Sequence, residues 1–181
     1  YYYNQNGIEP MFKICYRDTK GIDSRWSYNS FGTGNGGTGN INLFNGNLVM
    51  INSVMSTNGS ILPVEIANVY NTYLANTDFD ANTKVGYGWQ LSVQEKIDNV
   101  DWSNGKYIKY TTSTGTDLYF YKFEETYLSE DGYDCYITKA LNGNFILTDD
   151  YDNKKTFNSD GKLISVEDAD GNKKVFTYND N

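Results

Sequence analysis

The sequence predicts an all-β protein: an antiparallel, hairpin-built sheet that is either curved or folded as a sandwich. Two observations carry that expectation. Nine Asn-Gly or Asp-Gly dipeptides punctuate the 181 residues, starting at positions 6, 35, 45, 58, 104, 131, 142, 160 and 170. Asn, Asp and Gly tolerate the positive φ of tight hairpin turns, so each such dipeptide between alternating segments marks a chain reversal. Several intervening segments alternate apolar and polar residues with a period of two, the signature of a half-buried strand. The 17 Tyr and 3 Trp make tyrosine rather than leucine a main packing residue.

In chain order, residues 1–40 read as an upstream segment whose end, Phe31 to Asn40, is Gly-rich and is expected to be a flexible linker. Val64 to Leu74 is ambiguous: Ile66, Val69, Tyr70, Tyr73 and Leu74 fit one face of a helix, whereas Leu62, Val64, Ile66 and Tyr70 fit a strand interrupted at Asn68. Gly88 to Ile97 reads as one half-buried strand, with Trp89, Leu91, Val93 and Ile97 on one face and Gln90, Ser92, Gln94 and Lys96 on the other. Lys106 to Thr112 sets Tyr107 against Ile108 and Tyr110. Asp117 to Phe123 is apolar or aromatic on both faces apart from Lys122, which predicts a strand covered on both sides.

The C-terminus reads strand, Asp-Gly turn, strand, Asp-Gly turn, strand from Phe157 to Asp180. An earlier copy of the same cadence runs from Ile146 to Phe157 and lines up with Ile164 to Phe176. Asp150 and Asp152 match Asp168 and Asp170 at a shift of 18, and Lys154, Lys155 and Phe157 match Lys173, Lys174 and Phe176 at 19, which predicts one residue gained in the turn. Two copies fall short of the roughly three units that a repeat array needs for a continuous core. The chain is therefore expected to be a fragment whose array continues past Asn181.

Asp160-Gly161-Lys162-Leu163, Asp168-Ala169-Asp170-Gly171-Asn172 and Tyr178-Asn179-Asp180 resemble the RHS (YD) repeat family. Three further segments resemble the region preceding such repeats: Ile41 to Val49, Leu62 to Asn71, whose likeness favours a strand there, and Gly86-Tyr87-Gly88-Trp89-Gln90-Leu91-Ser92. The resemblance divides the chain into the upstream segment 1–40, a leading β-region 41–145, and two imperfect repeats at 146–181. It implies a non-catalytic module that begins a hollow β-shell of a bacterial secreted or cell-surface protein, serving encapsulation or adhesion. The partner it implies is the remainder of the shell in the same chain. Trp89, Asp160, Gly161, Leu163, Asp168, Gly171 and Tyr178 would be the structural repeat residues.

The chemistry of the sequence narrows the alternatives. A net charge of −8 argues against nucleic acid, whose phosphates require clustered Lys and Arg. No run approaches the ~18 apolar residues of a membrane span, so no membrane insertion is expected. There is no histidine, which removes Ser-His-Asp and Cys-His catalysis and histidine-ligated zinc. No metal and no cofactor are expected. The Asp168 to Asn172 loop lacks the spacing of a calcium loop and reads as a hairpin turn.

The acid pairs Glu124-Glu125, Glu130-Asp131 and Asp149-Asp150-Asp152 lie beside turns and read as solvated, which leaves little for a glycosidase. A polysaccharide-binding β-sandwich is the alternative function, with Trp102 on a predicted hairpin tip and nearby Tyr107 as the ligand-binding aromatics. Asn58-Gly59-Ser60 matches the glycosylation pattern but reads as a turn. Cys15 and Cys135 leave two options open, free thiols or one long-range disulfide.

Overall fold

A computed structural model describes residues 20–57, 61–77, 85–100, 103–130 and 132–179. The described residues form two antiparallel sheets, the second curled into a half-barrel, with one short helix. The N-terminal sheet runs in order through β1 (Tyr28–Gly34), β2 (Gly37–Asn42), β3 (Leu48–Ser56), β4 (Glu65–Asn71) and β5 (Trp89–Leu91), with α1 (Thr72–Thr77) between the last two. The C-terminal sheet is a nine-stranded meander: β6 (Lys96–Asn99), β7 (Tyr107–Thr111), β8 (Asp117–Phe123), β9 (Thr126–Ser129), β10 (Cys135–Lys139), β11 (Phe145–Asp149), β12 (Lys154–Phe157), β13 (Leu163–Glu167) and β14 (Lys173–Val175). Within each sheet, every strand pairs with its sequence neighbours.

The core lies on the concave face of the meander. Ile97, Ile108, Tyr110, Leu118, Phe120, Ile137, Phe145, Leu147, Phe157 and Leu163 form one buried cluster, with Phe120, Ile137 and Phe157 fully excluded from solvent. Curling brings β6 back across the β12–β13 turn. Lys96 and Lys162 form an isolated antiparallel bridge, and the Ile97 N–H donates to the Gly161 carbonyl at 2.9 Å. A Cβ on Gly161 would lie 1.8 Å from the Ile97 oxygen, so only glycine permits this approach.

A strap, residues 20–27, leads into β1 along one rim of the meander. Ile22 donates its N–H to Thr114 Oγ1 at 3.2 Å and accepts from Thr116 Oγ1 at 2.9 Å. The buried Asp23 carboxylate holds Arg25 at 2.7 Å and accepts from the Tyr133 hydroxyl at 2.6 Å, while the guanidinium lies 4.4 Å from the Tyr133 ring centre. At the strap's start, Lys20 pairs with the buried Asp117 at 3.0 Å.

Several sequence expectations are corrected. Phe31 to Asn40 is not a linker: it is most of the β1–β2 hairpin, turned at Asn35 and Gly36 with φ of 47° and 78°. Phe31 lies opposite Gly39, where a Cβ would sit 2.4 Å from the ring, so the glycine leaves space for the aromatic rather than loosening the chain. The boundary at 40/41 therefore falls inside β2, and the one at 145/146 falls inside β11; the sheets divide at residues 92–95.

Gly88 to Ile97 is not one strand. β5 pairs with β4 and β6 pairs with β7, and between them a turn is closed by Gln94 Oε1 accepting the Leu91 N–H at 2.6 Å. Gln90, assigned to the polar face, is the buried residue there because its amide donates to the Ser113 carbonyl at 2.9 Å. β8 is covered only along its first half, since Tyr121 and Phe123 are exposed. The ambiguous segment resolves into strand β4 followed by α1, whose first turn is capped by Asn71 Oδ1 accepting the Tyr73 N–H at 3.0 Å.

Candidate functional site

Five reversals of the C-terminal sheet share one recurring turn. In the five-residue segments 112–116, 140–144, 149–153, 158–162 and 168–172, the first N–H donates to the last carbonyl and the fourth N–H donates to the first carbonyl. The fourth residue has positive φ each time: Gly115, Gly143, Asp152, Gly161 and Gly171. This is the hairpin closed by a turn and a left-handed residue, which favours Gly and tolerates Asp.

Two of these turns agree atom for atom. Asp149 Oδ1 accepts the N–H groups of Tyr151 and Asn153, at 3.0 and 2.9 Å, and its Oδ2 accepts the Asn153 side-chain amide at 2.9 Å. Asp168 Oδ1 accepts from Asp170 and Asn172 at 3.1 and 2.8 Å, and its Oδ2 accepts from the Asn172 amide at 2.8 Å. The copies therefore match at a constant shift of 19, Asp149 to Asp168 and Asn153 to Asn172. The one-residue insertion expected from the sequence is absent, because Asp149 rather than Asp150 fills the first position. Burial pushes the Asp149 carboxyl up, but hydrogen bonds from Asn153 and Tyr151 outweigh it and hold it below the usual carboxylate range. The Asn172 amide, with backbone N–H groups, does the same for Asp168.

Inside the curl lies one buried polar cluster. Glu95, from the junction between the sheets, accepts from Lys155 Nζ at 2.9 Å (Oε1) and 2.7 Å (Oε2), and its Oε2 also accepts from the Tyr110 hydroxyl. Lys155 stands 3.0 Å from that hydroxyl, and the Tyr110 ring packs edge-on against Phe157 with centres 5.7 Å apart. Burial and the Glu95 charge push the Tyr110 phenol well up, so it remains a hydrogen-bond donor. The arrangement is a closed ion pair whose carboxylate is engaged on both oxygens. Among the described residues there is no group of three His, Cys, Asp or Glu side chains that could hold a metal ion.

The residues singled out from the sequence fall in different places. Trp102 lies outside the described residues, as do Cys15, Asn58 and Asp131. Tyr107 is half-buried on β7, directly opposite Tyr121. Trp89 is half-buried on β5 and packs tilted against Tyr70, 5.2 Å between ring centres. Leu163 is in the core, and Gly161 is the close-approach glycine beneath Ile97.

Asp160, Asp168 and Gly171 sit in the turns: Asp160 donates its N–H to Asn158, and Gly171 has φ of 84° with open space around it. The Tyr178 hydroxyl donates to the Leu163 carbonyl at 2.7 Å, with Lys162 Nζ 5.5 Å from its ring centre. Cys135 is a half-buried free thiol pushed up by burial. Glu124, of the carboxylate pairs, has φ of 53° in the β8–β9 reversal.

Sequence reasoning missed Glu95, its pairing with Lys155, and the 112–116 turn. The turn carries Gly115 after threonine rather than Asn or Asp, so its dipeptide gave no signal. No protein-family model matches the chain, and no curated protein matches it. No helix among the described residues is long and apolar enough to cross a membrane.

Proposed function

We propose that the chain is a non-catalytic structural module of RHS/YD-repeat type, beginning a hairpin-built β-shell of a bacterial secreted or cell-surface protein used in encapsulation or adhesion. The observation that carries this reading is the pair of turns at 149–153 and 168–172, identical in every side-chain hydrogen bond, within one uninterrupted meander. A meander of this kind grows by adding hairpins at its edge. β14 is that edge. Phe176 donates its N–H to Ile164, so Lys173, Val175 and Thr177 direct their backbone N–H groups outward, and the Val175 side chain is 69% exposed.

The reading predicts that the isolated chain self-associates through β14 in a concentration-dependent way. Val175→Pro removes an outward N–H without breaking pairing to β13, so sedimentation should then give a monomer. A parent chain that stays monomeric up to high concentration, or association that survives Val175→Pro, would count against it. Binding to a polysaccharide panel, abolished by Trp102→Ala or Tyr107→Ala with an unchanged melting temperature, would instead favour a carbohydrate-binding module.

A further inference from the structure

The constant shift of 19 makes Lys155 and Lys174 equivalent positions of successive repeat copies. Both stand directly opposite Val166, Lys155 on β12 and Lys174 on β14. On the other side Lys155 faces Leu147, which in turn faces Ile137. One row across the sheet thus reads Ile137, Leu147, Lys155, Val166, Lys174. It starts in the core and changes to lysine on β12 and β14.

Lys155 reaches the junction between the sheets and Lys174 reaches the N-terminal part. Lys155 binds the two carboxylate oxygens of Glu95, four residues after the end of β5. Lys174 donates to the carbonyl of Pro63, in the β3–β4 connection. The Glu95 side chain is only 8% exposed, whereas Pro63 lies at the surface, so the first contact is the desolvated and stronger one. The two lysines meet different oxygens, a carboxylate and a carbonyl. An ammonium on a flexible stem donates to either.

We infer that this lysine position of the repeat seats the N-terminal sheet on the concave side of the repeat-built sheet, Lys155 anchoring its exit and Lys174 its β3–β4 connection. The strap and Gln90 meet the C-terminal sheet elsewhere, at Thr114, Thr116, Tyr133 and Ser113. The lysines add contacts from the repeat strands β12 and β14, which those bonds do not reach. The inference depends on the equivalence of the copies and holds whether or not the array forms a shell.

Amide hydrogen exchange on the whole chain tests it. Lys155→Met keeps the stem and removes the charge; exchange at Ile97 should accelerate roughly tenfold or more, while amides of the β10–β11 ladder keep their protection. Lys174→Met should speed exchange at Val64 to Ile66 by a smaller factor, and Lys173→Met, whose ammonium pairs with Glu167 at 3.1 Å, should leave both regions alone. If Lys155→Met fails to fold because Glu95 is left buried and unpaired, Glu95→Gln/Lys155→Met removes both charges, and the fast exchange at Ile97 should be read there. Unchanged exchange at Ile97 and at 64–66 would overturn the inference. So would acceleration spread equally through β10 and β11, since the lysines would then support global stability alone.

Discussion

Asp149 and Asp168 show how one side chain can shape a reversal. Each carboxylate accepts two backbone N–H groups and one side-chain amide, all of which favour its charged form. Their lowered pKa values mean that the unfolded chain binds protons more readily than the folded one. The stabilisation is present in full above the unfolded value of about 3.9 and is lost as pH falls through the folded values. Melting temperature should therefore drop between about pH 5 and pH 2, less steeply in Asp149→Asn/Asp168→Asn than in the parent; equal slopes would show that the carboxylates are not the acid-sensitive element.

The left-handed positions differ in a testable way. Gly171 has open space, so Gly171→Ala should cost only the conformational penalty of about 1–2 kcal/mol. Gly161→Ala should cost more, because the new methyl meets the Ile97 carbonyl. Asp152, with φ of 62°, already bears that penalty in part, so Asp152→Gly should raise stability by less than about 1 kcal/mol in urea denaturation.

At the scale of elements, the hairpin is the unit, and its turn was more legible than its strand faces. Asn-Gly and Asp-Gly mark the reversals at 35, 45, 104, 142, 160 and 170 because turn chemistry is local. Burial is not local. Gln90 is buried and Trp89 only half-buried because a carbonyl from the other sheet, at Ser113, requires a donor there. The break between β5 and β6 was hidden for the same reason: Leu91 and Ile97 keep strand alternation although they serve different sheets.

Where the concave face is fully closed, packing dominates. Phe157 is inaccessible and touches Tyr110 edge-on, so Phe157→Ala should lose about 3–5 kcal/mol and Leu163→Ala about 2–5 kcal/mol in equilibrium denaturation. Tyr121→Ala, on the exposed half of β8, should change stability far less; a comparable loss would mean that this face is covered after all.

At the scale of the molecule, contacts distant in sequence join the pieces. The strap reaches Thr114 and Thr116 across more than 90 residues, and Asp23 reaches Tyr133 across 110. Tyr133→Phe removes a hydrogen bond to a buried carboxylate while leaving the ring beneath Arg25, and should cost about 1.5–3 kcal/mol in thermal or urea unfolding. No loss would mean that Arg25 alone satisfies Asp23. From the residues one could read the all-β class, the meander of hairpins and the repeated turn, because φ preference and period-two alternation act over a few neighbouring residues. The split into two sheets, the curl of the second and the pairing of Glu95 with Lys155 were decided in three dimensions. Those depend on which faces meet, and a carboxylate 60 residues from its lysine leaves no spacing to recognise.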